Sequence, residues 1–231
     1  MKTIGLIGGM SWESSREYYR IINEFVRARL GGLHSARIVM HSFDMAEIAA
    51  LQQEGDWEAA AKLMIAVAQM LEKAGANFLV ICTNTMHKVA DEVQKDIRIP
   101  LLHIADATAE EIKARGLHKV GLLGTKFTME EDFYKDRLAG RHGLEVIVPQ
   151  MQQRQVINSV IYDELCCGQV TQFSRDLFCG IIENLAANGA EGIILGCTEI
   201  HMLVGSGAPE VVPLFDTMEI HAACAAQWAL E

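Results

Sequence analysis

The chain has 231 residues, half of them hydrophobic, and a formal net charge of −10. This length suits one large α/β domain or two small ones, and the acidic charge argues against a nucleic-acid-binding protein. The start MKTIGLIGG is too short and glycine-broken for a signal peptide, and no apolar run approaches the roughly 18 residues of a membrane span. We therefore expect a cytoplasmic location and no membrane partner.

In the first half of the chain, short apolar runs alternate with longer segments whose apolar residues have helical spacing. The predicted strands are KTIGLIGG, ARIVMHSF, NFLVIC and IPLLHI. The predicted helices are SSREYYRIINEFVRARL, DMAEIAALQQEGDWEAAAKLMIAVAQMLEKAG (with a break at Gly55) and TMHKVADEVQKDI. Because the strands are too apolar to have a solvated face, this alternation predicts a parallel sheet covered by helices.

The second half of the chain repeats this plan in the same order. HKVGLLGTKFTMEEDFY echoes KTIGLIGGMSWESSREYY, NGAEGIILGCTEIH echoes AGANFLVICTNTMH, and VPLFDT echoes IPLLHI. The second of these matches pairs Thr83 with Cys197 and His87 with His201. Three matches in order, at a nearly constant offset, indicate an internal duplication into two α/β halves.

Two similar halves suggest where a ligand would bind. In open parallel sheets, ligands bind beyond the C-terminal ends of the strands. If the halves face each other about a pseudo-twofold axis, Thr83 and Cys197 approach one ligand from opposite sides. We therefore predict two pseudo-symmetric α/β domains, each a short parallel sheet flanked by helices, with the active site in the interdomain cleft.

The glycine-rich turns lack the known nucleotide fingerprints. GLIGGMSWESS contains neither G-x-G-x-x-G nor a P-loop, and offers a tight turn at Gly8 and Gly9 followed by Ser11 as a helix cap. The amide groups there either serve only the turn or hold a carboxylate. GLLGTKFT leaves the same two alternatives open, with Thr125 and Thr128 as its polar residues.

The segments TNTMH and CTEIH each follow a strand and open a helix. Their residue types suit helix capping, and amides at a helix start also favour an anion. Cys197 lies at such a start, where a thiol pKa is lowered and the reactive thiolate favoured. The other cysteines form no C-x-x-C pair, and no Cys/His cluster has metal-ligand spacing, so we expect neither disulfides nor a metal.

On the segments GLIGGMSWESS, TNTMH and GCTE, the chain resembles the aspartate/glutamate racemase family. The resemblance covers essentially the whole chain. It implies two α/β halves, an isomerase that needs no cofactor such as PLP, a small amino-acid substrate and a homodimer. It also implies that the last strand and helix return to the first half, so that residues 1–98 plus 210–231 form one domain and 99–209 the other.

The family mechanism implied by this resemblance uses one thiol on each face of the substrate Cα. Cys197 matches the second thiol, but the position of the first thiol holds Thr83. Cys82 is one residue early, and side chains alternate direction along a strand, so it normally points to the other face. The resemblance thus implies that Cys197 deprotonates L-aspartate or L-glutamate, while Thr83 returns a proton slowly from the opposite side.

The resemblance also implies substrate contacts, carried over by position. These are Met10, Gln52, Asn84, Thr85, Thr198 and Glu199. Gln52 is expected in a mobile loop. Glu199 either holds the substrate ammonium or serves as an acidic residue at a helix start. No arginine lies in a matched motif, so Lys126 and Arg16 remain alternatives for holding the distal carboxylate.

Two other functions fit the same residues. A single thiol suits a decarboxylase or a cis–trans isomerase of a small dicarboxylate, because these reactions need chemistry on one face only. Alternatively, the duplicated halves form a non-catalytic protein that binds a small acid. Proton exchange at the substrate Cα distinguishes the racemase from the binding protein.

Overall fold

The computed structural model describes residues 1–204 and 211–231, and they divide into two compact units. Unit 1 comprises Met1–Ile104 with His221–Glu231, and unit 2 comprises Ala105–Ile220. The predicted boundary at residue 98 lies close to this division. The predicted boundary at 209/210 lies outside the described residues.

Unit 1 alternates strands and helices. Its elements are β1 (Thr3–Gly8), α1 (Trp12–Leu30), β2 (Arg37–Ser42), α2 (Met45–Glu54), α3 (Trp57–Lys73), β3 (Phe78–Ile81), a 3₁₀ helix (Thr85–Val89), α4 (Ala90–Lys95) and β4 (Leu101–Leu102). The sheet order is β2-β1-β3-β4, and every pairing is parallel. The parallel sheet predicted for this half is confirmed.

Unit 2 follows the same plan. Its elements are α5 (Ile104–Ala114), β5 (Lys119–Gly124), α6 (Lys126–Glu130), α7 (Asp132–His142), β6 (Glu145–Ile147), α8 (Met151–Ser159), a π-helical turn (Val160–Glu164), a 3₁₀ turn (Leu165–Cys167), α9 (Gln172–Ala187), β7 (Gly192–Gly196), α10 (Ile200–Val204) and β8 (Leu214–Asp216). The last helix, α11 (Thr217–Leu230), begins in unit 2 and continues into unit 1. Within the described residues its parallel sheet has the order β6-β5-β7-β8. In each sheet the second strand along the chain therefore lies at one edge, beside the first strand, and the two sheets have the same order, as a duplication requires.

The last strand belongs to unit 2 and does not return to the first half as expected. β8 pairs with β7 through Ile193↔Leu214 and its neighbours, because the strand continues the second sheet as β4 continues the first. Only α11 joins unit 1, from His221 onward. The Lys2 amide, for example, donates to the Ala229 carbonyl at 2.8 Å.

Local sequence explains where the first helices begin and end. Ser11 caps α1 as predicted, with its hydroxyl accepting from the Ser14 amide at 3.5 Å. Asp44 and Asp56 cap α2 and α3 in the same way. Gly55 ends α2 with φ 73°, a left-handed conformation that favours glycine.

Buried helix faces and strands form a hydrophobic core in each unit. In unit 1, β3 is completely buried and packs with the apolar face of α3, including Met64 and Leu71. In unit 2, β7 is completely buried and packs with α9, including Phe178 and Ile182. The ends of β3 and β7, where the two matched motifs begin, are thus fixed by the best-buried strand of each unit.

Candidate active site

The matched motif of unit 1 begins where the β3 ladder ends. The Cys82 amide still donates to the Ile7 carbonyl at 2.9 Å, and Thr83 is the next residue. Burial raises the pKa of the Cys82 thiol far above its ordinary value, and this side chain is fully buried. The Cys82 thiol donates to the Val80 carbonyl oxygen at 4.0 Å and none of the side chain is exposed, whereas Thr83 is 9% exposed. This difference in access favours Thr83 over Cys82 as the residue that meets a substrate.

The segment after Thr83 forms a short 3₁₀ helix instead of the longer helix predicted. Asn84 stands at its N-cap position but makes no side-chain capping hydrogen bond, so the capping for which this residue type is suited is not made by Asn84. Asn84 and Thr85 are both buried. The chain continues as α4 from Ala90, so TMHKVADEVQKDI is divided between two helix types.

Two predicted substrate contacts of unit 1 lie near this segment. Gln52 is in the last turn of α2, not in a mobile loop, and its buried side chain donates from Nε2 to Met86 Sδ at 3.2 Å. Met10 is buried in the same hydrophobic cluster as Met86. Unit 1 therefore brings Gln52 to the segment that carries Thr83 and places Met10 in the hydrophobic cluster that includes this segment's Met86.

The first glycine turn uses its own amide group. The Gly9 amide donates to Ser15 Oγ at 2.8 Å, and that hydroxyl donates to the Ser11 carbonyl at 2.8 Å. Gly9 has φ 84°, which explains the glycine. Because the Gly9 amide is bonded within the turn, it favours the alternative in which these amides serve only the turn over the one in which they hold a carboxylate. In unit 2, Thr125 caps α6, accepting from the Thr128 amide at 3.4 Å.

Cys197 is the first residue after β7 and is buried, with 8% of its surface exposed. Its thiol donates to Glu199 Oε2 at 3.0 Å, and the Thr198 hydroxyl donates to the same oxygen at 2.9 Å. Thr198 and Glu199 are themselves buried. Unit 2 therefore brings together its three predicted site residues around one carboxylate oxygen.

The expected thiolate at Cys197 is not what this environment favours. Burial raises the pKa of the thiol well above its ordinary value, and the negative charge of Glu199 raises it further. The backbone N–H of Glu199 lowers this pKa, but the larger effects win. α10 begins only at Ile200 and has five residues, so its dipole is too short to reverse them.

Sequence reasoning did not single out two neighbours of Cys197. Tyr162 and Cys166 pack against the hydrophobic cluster that contains Cys197. Burial raises the pKa of the Tyr162 hydroxyl, and the nearby Cys197, Cys166 and Glu199 raise this pKa further. They lie in the π-helical and 3₁₀ turns after α8. No periodic sequence pattern marks such turns, so the signal was absent.

The two cations considered for a distal carboxylate have other contacts. Arg16 pairs with Glu17 at 3.3 Å and lies over the Trp12 ring. Lys126 Nζ lies 4.9 Å from the centre of the Phe127 ring.

In the part of the chain that the structure describes, no helix is long and apolar enough to cross a membrane, and no cluster of His, Cys, Asp and Glu is arranged to hold a metal.

Two duplicated parallel α/β units, one of them with a buried thiol against a carboxylate, fit an enzyme that uses side chains as acids and bases. The family model for Asp/Glu/hydantoin racemases matches residues 7–225. The chain belongs to this family, and its racemase relatives support its assignment as an isomerase.

Individual relatives agree with this assignment. A broad specificity amino-acid racemase, RacX of Bacillus subtilis (strain 168), is 30% identical over 156 residues, which cover 68% of this chain and 66% of RacX. A crystal structure of a Yersinia pestis protein, proposed to be an Asp/Glu racemase, is 54% identical with a TM-score of 0.93, and 100% of both chains is covered. An aspartate racemase homologue from Pyrococcus horikoshii OT3 is 37% identical with a TM-score of 0.84, again over 100% of both chains.

Proposed function

We propose that this chain is a cofactor-independent racemase of acidic amino acids that favours L-aspartate and L-glutamate. Cys197 acts as the base on the L face, and Thr83 donates a proton on the opposite face. The observation that carries this proposal is a contrast between matched positions. One holds a buried thiol 3.0 Å from a carboxylate, and the other holds a hydroxyl.

Formation of the thiolate is assigned to Glu199. Because the resting thiol is protonated and its hydrogen bond already points at Glu199 Oε2, the proton has a short path to the carboxylate. Once it has moved, the negative charge that opposed the thiolate is neutralised. The Glu199 backbone N–H, which lowers the thiol pKa, then stabilises the sulfur anion.

The thiolate of Cys197 removes the Cα proton from the L isomer. The carbanion that forms is a strong base, so it needs hydrogen-bond donors placed in advance around the substrate carboxylate. Asn84, Thr85 and Thr198 are proposed as substrate-binding residues because they are buried polar residues that follow β3 and β7. Met10 and Gln52 are proposed to complete the site from the first unit.

Thr83 makes proton transfer on its face of the substrate slower than proton transfer on the Cys197 face. A hydroxyl is a much weaker acid than a thiol, so Thr83 gives up a proton only if another donor, such as water, replaces it in the same step. Reprotonation from this side is therefore slow, and deprotonation of the D isomer by Thr83 slower still. Exchange at Cα should outrun inversion for the L substrate.

The test follows Cα proton exchange in D₂O for both isomers of aspartate and glutamate. We expect washout from the L isomers to be faster than from the D isomers, and Cys197→Ser to abolish it. Cys179→Ser on α9 is the matched control and should retain the wild-type rate. Faster washout from the D isomers, or exchange that survives Cys197→Ser, would overturn the proposal.

The contrast between Thr83 and Cys197 also favours a second candidate, a one-thiol decarboxylase or cis–trans isomerase of a small dicarboxylate. That enzyme would release carbon dioxide from malonate-like acids or isomerise maleate-like acids. A non-catalytic binding protein would show ligand binding without any exchange, and Cys197→Ser would change affinity alone. The same exchange experiment, extended to these acids, separates the three functions.

Two further features are proposed from the family resemblance. The racemase works without PLP, and it forms a homodimer. Sedimentation at micromolar protein concentration tests the dimer, and undiminished activity after treatment with a carbonyl-trapping reagent tests independence from PLP.

A further inference from the structure

A buried histidine connects the Thr83 segment to the next part of unit 1. His87 lies in the 3₁₀ helix Thr85–Val89 and is 3% exposed. Its Nδ1 is 2.7 Å from the Thr83 carbonyl oxygen. On the other side of the ring, the Ile104 backbone amide donates to Nε2 at 3.2 Å. The imidazole therefore bridges the end of β3 to the start of α5.

These two partners determine the protonation of the ring. A carbonyl oxygen can only accept, so Nδ1 must carry the hydrogen, and a backbone amide can only donate, so Nε2 must offer its lone pair. An imidazolium would place an N–H group against the Ile104 N–H group. The bridge thus requires the neutral ring of His87 with the hydrogen on Nδ1.

Other rings hold His87 in this orientation. The His103 ring lies 4.4 Å away at 60°, and the His221 ring 5.8 Å away at 63°. His221 is itself fixed, because Nδ1 is 2.8 Å from the Tyr18 hydroxyl and Nε2 is 2.9 Å from the Leu102 carbonyl oxygen. The His87 ring is therefore packed on its sides as well as hydrogen-bonded at both nitrogens.

The bridge is a property of the Thr83 motif rather than of the repeat. His201 holds the same place in the second copy, but its side chain is 50% exposed and its Nδ1 is 2.9 Å from Asp216 Oδ2. The duplicated histidine is thus half-exposed beside a carboxylate in one unit and buried in a bridging role in the other. The same two motifs also differ at the proton-transfer position, threonine against cysteine.

The His87 bridge restrains Thr83, a residue that lies beyond the end of β3. The last ladder bond of this strand end is the one from the Cys82 amide to Ile7, and the Thr83 carbonyl is bonded by the His87 ring instead. A poor proton donor depends strongly on placement. Errors on the order of 1 Å can cost about 10²-fold in rate.

We infer that His87 is a positioning residue, whose neutral ring fixes the Thr83 backbone and so aims the Thr83 hydroxyl at the substrate. This inference rests on the proposed racemase function. It assigns His87 to inversion and not to Cα proton removal by Cys197. In D₂O, an L substrate that regains deuterium from Cys197 stays L, and one that gains it from Thr83 becomes D. The ratio of these two products compares proton return from the Thr83 side with proton return from the Cys197 side.

The first test needs no substrate. A long-range ¹H–¹⁵N spectrum of the wild-type protein distinguishes the two neutral histidine tautomers and the charged ring. We expect the His87 signals to show hydrogen on Nδ1 and none on Nε2. Hydrogen on Nε2, or a charged ring at neutral pH, would overturn the bridge.

The second test compares three variants by the ratio of inversion to exchange with retention. His87→Phe removes both hydrogen bonds and should lower the ratio at least about tenfold, since Thr83 is no longer held in place. His87→Asn keeps a donor near the position of Nδ1 and should recover much of the ratio. His87→Gln, with its amide near the position of Nε2, should recover less. His201→Asn is the matched control and should keep the wild-type ratio.

The outcomes separate the two hypotheses. Exchange with retention should stay within about threefold of wild type in His87→Asn, because the Cys197 side is untouched. An unchanged ratio in His87→Phe, or equal losses of exchange and inversion in His87→Asn, would overturn the inference while leaving the racemase proposal intact. If the wild type shows no Cα proton exchange, or if its exchange does not depend on Cys197, the racemase proposal itself would be overturned.

Discussion

The thiol of Cys197 donates a hydrogen bond to Glu199 Oε2 across 3.0 Å, inside a buried site. The two groups oppose each other in the resting protein, because the carboxylate raises the thiol pKa beyond what burial does. They cooperate once the proton moves. This relationship gives Glu199 two separable effects, one on the resting thiol and one on catalysis.

The catalytic effect is tested with Glu199→Gln. The amide can accept the hydrogen bond from the thiol but cannot take its proton, so we expect kcat for Cα exchange of the L isomer to fall about 10²-fold or more. KM should change little, because the lost interaction concerns proton transfer. A raised KM with unchanged kcat would instead show that Glu199 holds the substrate ammonium. Steady-state exchange rates over a range of substrate concentrations decide between them.

The effect on the resting thiol has the opposite sign. Glu199→Gln removes a negative charge beside Cys197, so the thiol pKa should fall and more thiolate should be present at a given pH. We expect iodoacetamide to alkylate Cys197 of the variant several-fold faster at pH 8, although the variant is the poorer catalyst. Peptide mass spectrometry follows the reaction, with Cys179 as the internal reference. Slower alkylation of Cys197 would contradict this electrostatic role.

Replacing the weak donor should restore symmetry. Thr83→Cys places a thiol at the position that the second copy of the motif already fills with Cys197. We expect Cα exchange of D-aspartate or D-glutamate to rise by at least about tenfold, because a thiolate can act as a base where a hydroxyl cannot. Thr83→Ser keeps the hydroxyl and is the control. No gain with the D isomers in Thr83→Cys would count against Thr83 as the altered acid–base position.

Periodic features of the sequence predicted the fold well, and non-periodic ones did not. Apolar runs gave both parallel sheets, because a buried central strand needs an unbroken apolar stretch. The residues that set the local chemistry of the site were different. The opposition between Glu199 and Cys197 depends on a distance and on burial, and Tyr162 lies in a π-helical turn that no spacing rule marks.

The end of the chain shows a second limit. VPLFDT is a copy of IPLLHI, and this match by itself predicts β8 at the edge of the second sheet, where the structure has it. The resemblance to a family suggested instead that this strand returns to the first half. The internal repeat was the better guide, since it reports pairing within this chain.

The buried His221 should make unit 1 sensitive to acid. Burial lowers its pKa from 6.5 to about 4, so below pH 6.5 the unfolded chain takes up a proton that the folded chain refuses. Stability is therefore lost as the pH falls from 6.5 towards 4, by about 2 kcal/mol at pH 5, at about 1.4 kcal/mol per pH unit. His221→Phe should destabilise the protein at pH 7.5, because it removes the hydrogen bonds from His221 to the Tyr18 hydroxyl and the Leu102 carbonyl oxygen, and less so at pH 5.

Urea unfolding at the two pH values measures this difference. The gap in unfolding free energy between wild type and His221→Phe should narrow by about 2 kcal/mol from pH 7.5 to pH 5. A gap that stays constant between these pH values would contradict the prediction.

The matched glycines Gly5 and Gly121 should both tolerate a methyl group poorly, because a neighbouring strand's side chain packs closely on each of them. A Cβ on Gly5 would lie 2.5 Å from Leu79 Cδ2, and one on Gly121 would lie 2.6 Å from Ile193 Cδ1. Leu79 and Ile193 are matched positions on β3 and β7, so the duplication preserved this contact as well as the strand order. Gly5→Ala and Gly121→Ala should each lower the free energy of unfolding by about 1–3 kcal/mol through overpacking.

Gly140, inside α7, supplies the contrasting case. A Cβ there meets no atom within 4 Å, so Gly140→Ala should raise the free energy of unfolding by about 0.5–1 kcal/mol, the ordinary gain from replacing glycine in a helix. Urea unfolding of the three variants at neutral pH compares the effects directly. If Gly5→Ala and Gly121→Ala do not lower the free energy of unfolding, Leu79 and Ile193 do not pack as closely on these glycines as the structure has them, and the packing shared by the two copies is not present.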